Sequence, residues 1–213
     1  MSEPARDLFD EPLEPAATWR APLLGECVLG IDPSLTGFAI CYSVPGKALI
    51  EGRWASKPCD GVRPRLARYE QLIRGTLEIV LAQQPSLILI EAYAYGARGG
   101  MQFDRTELGG VLRLELIRRT EVEVPIIEPT PSTLKKFTTG SGLATKDAMV
   151  STLAKKHQRV FRTDDAADAF ALCQLGLALT GQVPAPSTKP ERLYLAKLRK
   201  DFGLERAASG GAR

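Results

Sequence analysis

The chain opens its ordered pattern with an apolar run, Cys27–Ile31, that ends on a carboxylate, Asp32. A Pro33-Ser34-Leu35-Thr36-Gly37 cluster and a second run of branched and aromatic residues, Gly37–Val44, follow. Two such runs around a turn cluster predict antiparallel strands. Pro45-Gly46 turns the chain into a third, Ala48–Ala55, which completes a meander. Leu66, Tyr69, Leu72, Ile73, Leu77 and Val80 recur at helical spacing and stop before Pro85. Leu87–Ile90 is continuously apolar, as a strand covered on both faces must be, and it too ends in a carboxylate, Glu91.

The second half is more helical. Tyr93–Phe103 reads as a loop of glycines and aromatics, Glu107–Arg119 as a helix and Val122–Ile127 as a fifth strand closed by Pro129 and Pro131. Ser132–Phe137 predicts a short helix, Thr138–Ala144 a glycine-rich loop, and Thr145–Lys156 a helix with Thr145 as its cap. Asp165–Leu179 is a strongly apolar helix with aspartates in its first turn. Three antiparallel strands, then helices alternating with two further strands, define the α/β class: a mixed five-stranded sheet flanked by helices.

Composition narrows the picture without changing it. Of 213 residues, 44% are hydrophobic and 25% charged, as in a globular protein, and no run approaches the roughly 18 apolar residues of a membrane span. Met1–Glu14 is acidic and lacks a secretion signal's basic start and apolar core, so a cytoplasmic protein is expected. Cys27, Cys41, Cys59 and Cys173 have no metal-knuckle or redox spacing and read as reduced thiols. A net charge of +3 hides an asymmetry: residues 1–26 hold six acids against two arginines, residues 181–213 seven bases against three acids. Residues 1–24 are therefore expected as a disordered acidic extension, 25–180 as the folded domain and 181–213 as a basic tail, amphipathic around Leu193–Phe202.

The chemistry lies at the strand ends. An aspartate closing so apolar a run needs a partner, and a metal ion is one. If the first and fourth strands are adjacent and parallel, Asp32 and Glu91 emerge at one sheet edge. The last helix can then bring Asp168 and Asp165, three residues apart on one face. Four carboxylates without a histidine or cysteine ligand favour Mg²⁺ or Mn²⁺. Two such ions would suit phosphodiester hydrolysis. Asp164 suits the positive end of the helix dipole, and His157, at the end of a polar helix, is expected to face solvent.

The element order, together with Gly30-Ile31-Asp32-Pro33-Ser34, Ile90-Glu91-Ala92-Tyr93 and Asp165-Ala166-Ala167-Asp168-Ala169-Phe170-Ala171-Leu172, resembles the RuvC family of Holliday-junction resolvases within the RNase H-like nucleases. The resemblance covers roughly Cys27–Leu179. It implies that Asp32, Glu91, Asp165 and Asp168 are metal ligands and catalytic residues, with Mg²⁺ or Mn²⁺ as the cofactor, two ions per site. It also implies that Lys135, Lys136 and Lys146, on either side of the Gly140–Ala144 loop, approach the DNA backbone, Lys146 reaching the active site. The run Ala92–Gly100 looks more like phage-type members, and Tyr93 or Tyr95 is the candidate for stacking on unpaired bases. Arg98 and Arg105 join the lysines as expected phosphate contacts. The partner is branched DNA, a four-way junction, whose two-fold symmetry matches a homodimer built on Glu107–Arg119 with Gly109-Gly110 at the contact.

Three other readings compete. A phage-type nuclease acting on flaps, forks and other branched DNA keeps the chemistry and changes the substrate. A sugar-kinase or Hsp70-type ATPase shares the Gly-Ile-Asp strand end but needs a second phosphate hairpin that the sequence lacks. A non-cutting junction-binding module would not need the acidic set.

Overall fold

The computed structural model describes residues 26–93, 101–120, 124–184, 186 and 188–204. Its strands are β1 (Val28–Asp32), β2 (Phe38–Tyr42), β3 (Ile50–Trp54), β4 (Leu87–Ile90) and β5 (Ile126–Ile127). Its helices are α1 (Val62–Gln83), α2 (Met101–Arg119), α3 (Pro131–Thr139), α4 (Lys146–His157), α5 (Asp164–Thr180) and α6 (Lys189–Asp201). The strands form one sheet in the order β3-β2-β1-β4-β5. The β1–β2 and β2–β3 pairs are antiparallel, while β1–β4 and β4–β5 are parallel. This is the mixed five-stranded sheet that the alternation predicts.

The two-residue period of a strand sends alternate side chains to opposite faces, and the core divides accordingly. Leu29, Ile31, Ile88 and Ile90 pack with Tyr69, Leu72 and Ile73 of α1 and Leu108, Leu112 and Leu116 of α2. Val28, Leu87 and Leu89 pack on the other face against α5, with α3, α4 and α6 outside it. Gly30 belongs to this second face, and its missing side chain lets α5 lie almost on the strand. A Cβ there would sit 2.6 Å from both the Ala169 carbonyl oxygen and the Cys173 amide nitrogen. Cys173 Sγ donates to the Val28 carbonyl oxygen at 3.6 Å, and Gly176 faces Val28 and Leu89. Helix α5 thus runs antiparallel to β1, with its aspartates at the Asp32 end.

Caps fix where the helices begin. Thr130, Thr145, Thr163 and Thr188 each accept, through the side chain, an amide hydrogen bond from the third residue on. On the opposite layer, Arg65 of α1 pairs with Glu107 of α2 at 2.6 Å, and the Tyr69 hydroxyl donates to the same carboxylate at 3.1 Å.

Several expected boundaries move. Helix α2 starts at Met101, six residues before the expected Glu107, because the apolar positions that signal it begin only at Leu108. Among the described residues of the expected fifth strand, Ile126 and Ile127 pair, opposite Ile88 and Leu89. Within the expected basic tail, α6 buries Leu195 and Leu198, with Leu204 beyond it, in the α5 core cluster. The Arg199 guanidinium donates to the Leu179 and Ala178 carbonyls at 2.7 and 2.8 Å, capping the end of α5. The packed unit therefore continues past residue 180. His157 is not solvent-facing as expected: it is half-buried, edge-on to Phe170 at 5.0 Å, and burial holds its pKa below the usual value. Cys27, Cys41 and Cys173 are buried free thiols and Cys59 a half-buried one. Burial alone raises Cys27 to about 12, which makes it unreactive. The 1–24 extension lies outside the described residues.

Candidate metal centre

Strand alternation delivers the first two carboxylates. Val28, Gly30 and Asp32 point to the α5 face of β1, and Leu87, Leu89 and Glu91 follow the same rhythm along β4. The parallel register pairs Ile31 with Ile90, and the Glu91 amide donates to the Ile31 carbonyl at 3.0 Å. Asp32 and Glu91 consequently leave neighbouring strands side by side. Helix α5, held close by Gly30, adds Asp168 from its second turn.

Ligand oxygens of Asp32, Glu91 and Asp168 all lie within 4.8 Å of one another. Asp165 stands at the margin of this trio. Its carboxylate rests over Gly37, where a Cβ would come 2.1 Å from Oδ2, with the Arg53 guanidinium close by. Three of the four expected acids meet, and the fourth adjoins them. Gly37, the glycine of the β1–β2 turn, makes room for it.

The electrostatics are unsettled without a cation. Asp32 and Asp168 are buried. Burial, then the charges of Glu91 and Asp165, push the Asp32 pKa well above the usual carboxylate range, against the pull of Lys146 and Arg105. Glu91 is also raised, by burial first and Asp165 second, with Lys146, Arg105 and Lys135 opposing. Asp32 Oδ1 is fully buried and accepts no hydrogen bond from the described residues, an arrangement that needs a compensating positive group. A cluster of hard oxygen donors with one lone pair left open fits a divalent cation such as Mg²⁺ or Mn²⁺.

Lys146, in the first turn of α4, forms an ion pair with Asp168. Lys135 lies near enough to act on Glu91, whereas Lys136 turns away and places its ammonium 4.6 Å over the Tyr194 ring. Arg105, exposed on α2, directs its charge at Asp32 and Glu91. The loop between α3 and α4 is built by its own hydrogen bonds: the Ser141 amide donates to Thr139 Oγ1 at 3.2 Å, and the Leu143 amide to Ser141 Oγ at 3.3 Å. Leu143 at its tip is 96% exposed beside this cationic rim.

Tyr93, expected on an open loop, instead turns onto α2. Its hydroxyl lies 3.1 Å from the Arg105 carbonyl oxygen and 3.2 Å from that of Thr106, and Arg113 stacks over its ring at 4.9 Å. Tyr95 and Arg98 lie outside the described residues. Arg53 and Leu143 escaped the sequence reading. Arg53 sits on an edge strand with no motif around it, and Leu143 was absorbed into the glycine loop.

Comparisons with known proteins identify the family and the fold. The family model described as "Crossover junction endodeoxyribonuclease RuvC" matches residues 28–175. A crossover junction endodeoxyribonuclease RuvC of Synechococcus sp. (strain CC9311) is 31% identical over 163 residues, covering 72% of this chain and 96% of that protein. The protein of the same description from Rhodococcus opacus is 31% identical over 185 residues, covering 80% and 94%. Among solved structures, Thermus thermophilus RuvC has a TM-score of 0.57 at 19% identity, covering 69% of this chain and 90% of that one. The T. thermophilus RuvC solved in complex with Holliday junction substrate gives 0.58 at 19%, covering 70% and 90%. At that identity the two structures speak for the fold.

Proposed function

The chain belongs to the RuvC family of crossover junction endodeoxyribonucleases, and we propose that it is a divalent-metal-dependent endonuclease that resolves four-way DNA junctions by paired, symmetric strand incision. The observation that carries the reading is the convergence of Asp32, Glu91 and Asp168, with Asp32 Oδ1 buried and unpartnered. Asp32, Glu91 and Asp168 would hold the cation, and Asp165 beside them is placed to join a second. Mg²⁺ or Mn²⁺ bound there supplies charge stabilisation on a phosphoryl oxygen and a water acidic enough to attack at neutral pH.

The chain's own residues do the rest. Lys146 pairs with Asp168; with Asp168 holding a cation, the lysine ammonium would be free to pair with a phosphodiester oxygen. Lys135 and Arg105 border the same edge and favour a backbone running across it, with Leu143 beside the bases. The charges position DNA without reading sequence, so affinity should fall steeply with salt. Tyr95 and Arg98 remain proposed DNA contacts.

A second copy supplies the second cut. On α2, Phe103, Gly110, Leu114 and Ile117 fall on one stripe spaced by seven, four and three residues. The three side chains are 71%, 48% and 63% exposed. Pairing that stripe with itself across a two-fold axis buries it and matches the symmetry of a junction. Gly110, with open space around it, permits close approach, whereas Gly109 is already filled by Tyr93 of its own chain. No helix among the described residues is long and apolar enough to cross a membrane, in keeping with a cytoplasmic DNA enzyme.

The test is a synthetic mobile junction incubated with Mg²⁺, the nicks mapped on all four strands beside a flap and a linear duplex. Paired nicks at symmetric positions, confined to the junction, are expected. Equal cutting of the flap would move the assignment to branched DNA in general. ATP binding would point to the ATPase reading, although the described residues form one sheet rather than two lobes.

A further inference from the structure

The Tyr93 side chain is placed as a tie between the end of β4, which carries Glu91, and the first turns of α2. Its residue follows Glu91 by two positions, and Ala92 between them is itself anchored, its amide donating to the Pro129 carbonyl at 3.0 Å. The Tyr93 hydroxyl proton is shared by the Arg105 and Thr106 carbonyls at 3.1 and 3.2 Å, and its oxygen accepts from Arg113 Nη1 at 3.1 Å. Arg113 covers the ring face and completes the arrangement with an ion pair to Glu128, just beyond β5. Every hydrogen-bonding site of the phenol is used within the chain.

Gly109 confirms that the seat is shaped for this oxygen. A Cβ at that position would lie 1.4 Å from the Tyr93 hydroxyl and 2.6 Å from Arg113 Nη1. One residue on, a Cβ at Gly110 would meet no neighbouring element within 4 Å among the described residues. The two glycines therefore serve different neighbours: one the tyrosine, the other the open stripe of α2.

We propose that Tyr93 is a positioning residue: its hydroxyl fixes the first turns of α2, and with them the Arg105 charge, relative to Glu91 at the end of β4, and so sets the geometry in which the acids take up a cation and DNA. This rests on the nuclease reading above for its consequence in turnover, but not for its consequence in metal binding. The rival role for the same residue, stacking its ring on an unpaired base, makes the opposite demand on the side chain. Stacking needs the ring and not the oxygen; the tie needs the oxygen.

Tyr93→Phe separates the two by removing one atom. Mn²⁺ binding measured by calorimetry without DNA should weaken about tenfold, as should turnover on a junction, the size typical of losing a group that orients a metal ligand. Junction affinity in Ca²⁺ and the melting temperature should stay at wild type. Gly109→Ala, which favours helix but evicts the hydroxyl, should reproduce both losses while keeping the fold. The double variant should lose no more than either single one. Wild-type Mn²⁺ affinity and turnover in Tyr93→Phe overturn the proposal. So does a silent Tyr93→Phe beside a Tyr93→Ala that loses junction affinity, which assigns the ring to DNA. Failure of the wild-type chain to nick any junction would count against the nuclease reading alone, because the calorimetric arm stands without it.

Discussion

The two sides of the metal centre are held by different physics. Asp32 and Asp168 sit on β1 and α5, which meet through buried alanines, leucines and a glycine, with Val28, Ala169, Leu172 and Cys173 all at 0% exposure. Glu91 and Arg105 sit on the β4 exit and the first turns of α2, which meet, beyond the core of Ile88, Ile90, Leu108 and Leu112, through a tyrosine hydroxyl, a guanidinium and three oxygen acceptors. Close packing is unforgiving of volume, whereas a hydrogen-bonded tie can be loosened atom by atom. Changes to the packing that holds the first side should therefore show as lost stability, and changes to the tie that holds the second as lost activity.

Removing a ligand from the dry side gives the largest effect. Asp32→Asn should lower junction cleavage by about 10³-fold or more, the equivalent of several kcal/mol of metal-derived stabilisation. It should leave gel-shift affinity for the junction intact, and near-wild-type cleavage in Mg²⁺ would remove Asp32 from the site. Next, two glycine-to-alanine changes set the sides against each other. Gly30→Ala forces a methyl against backbone on α5 and should destabilise by about 3 kcal/mol, roughly 6–12 °C in a calorimetric melt. Gly109→Ala should melt near wild type and lose turnover. If both lower the melting temperature alike, the contrast collapses.

The pH dependence of the metal-free protein probes both sides together. Asp32 and Glu91 have folded pKa values above their ordinary ones, so the native state binds protons more tightly than the unfolded chain. That contribution is fully present below the usual carboxylate range and is lost as pH rises through the elevated values. Melts in chelator should drop as pH climbs through that window, Mg²⁺ should flatten the slope, and Asp32→Asn should remove most of it. The smallest change expected is for Arg113→Gln, which removes the cation stacked on Tyr93 but leaves the hydroxyl its carbonyl acceptors. A loss of about threefold in turnover follows, less than for Tyr93→Phe, in steady-state assays.

What the sequence revealed follows the same division. Apolar alternation and helical spacing are local signals, so β1, β4 and α5 were readable, and with them the meeting of Asp32, Glu91 and Asp168. The seat of Tyr93 was not readable, since its partners lie 12 to 20 residues away and are brought close only by the packing of α2 on the sheet. Gly99 and Gly100 suggested a loop and concealed the early start of α2. Basic residues concealed α6, whose buried stripe is only Leu195 and Leu198. Asp165 shares a helix face with Asp168, but its resting place over Gly37 depends on the turn of a hairpin more than a hundred residues earlier.

The pairing of α5 with β1 also orders events during synthesis. Asp32 and Asp168 are 136 positions apart in the chain, and at about 5–20 residues per second a ribosome takes roughly 7–27 s to travel between them. Throughout that interval the nascent polypeptide has the hairpin, and then Glu91, but no helix to close over Gly30. A chain that ends before α5 lacks Asp168 and cannot complete the trio of carboxylates.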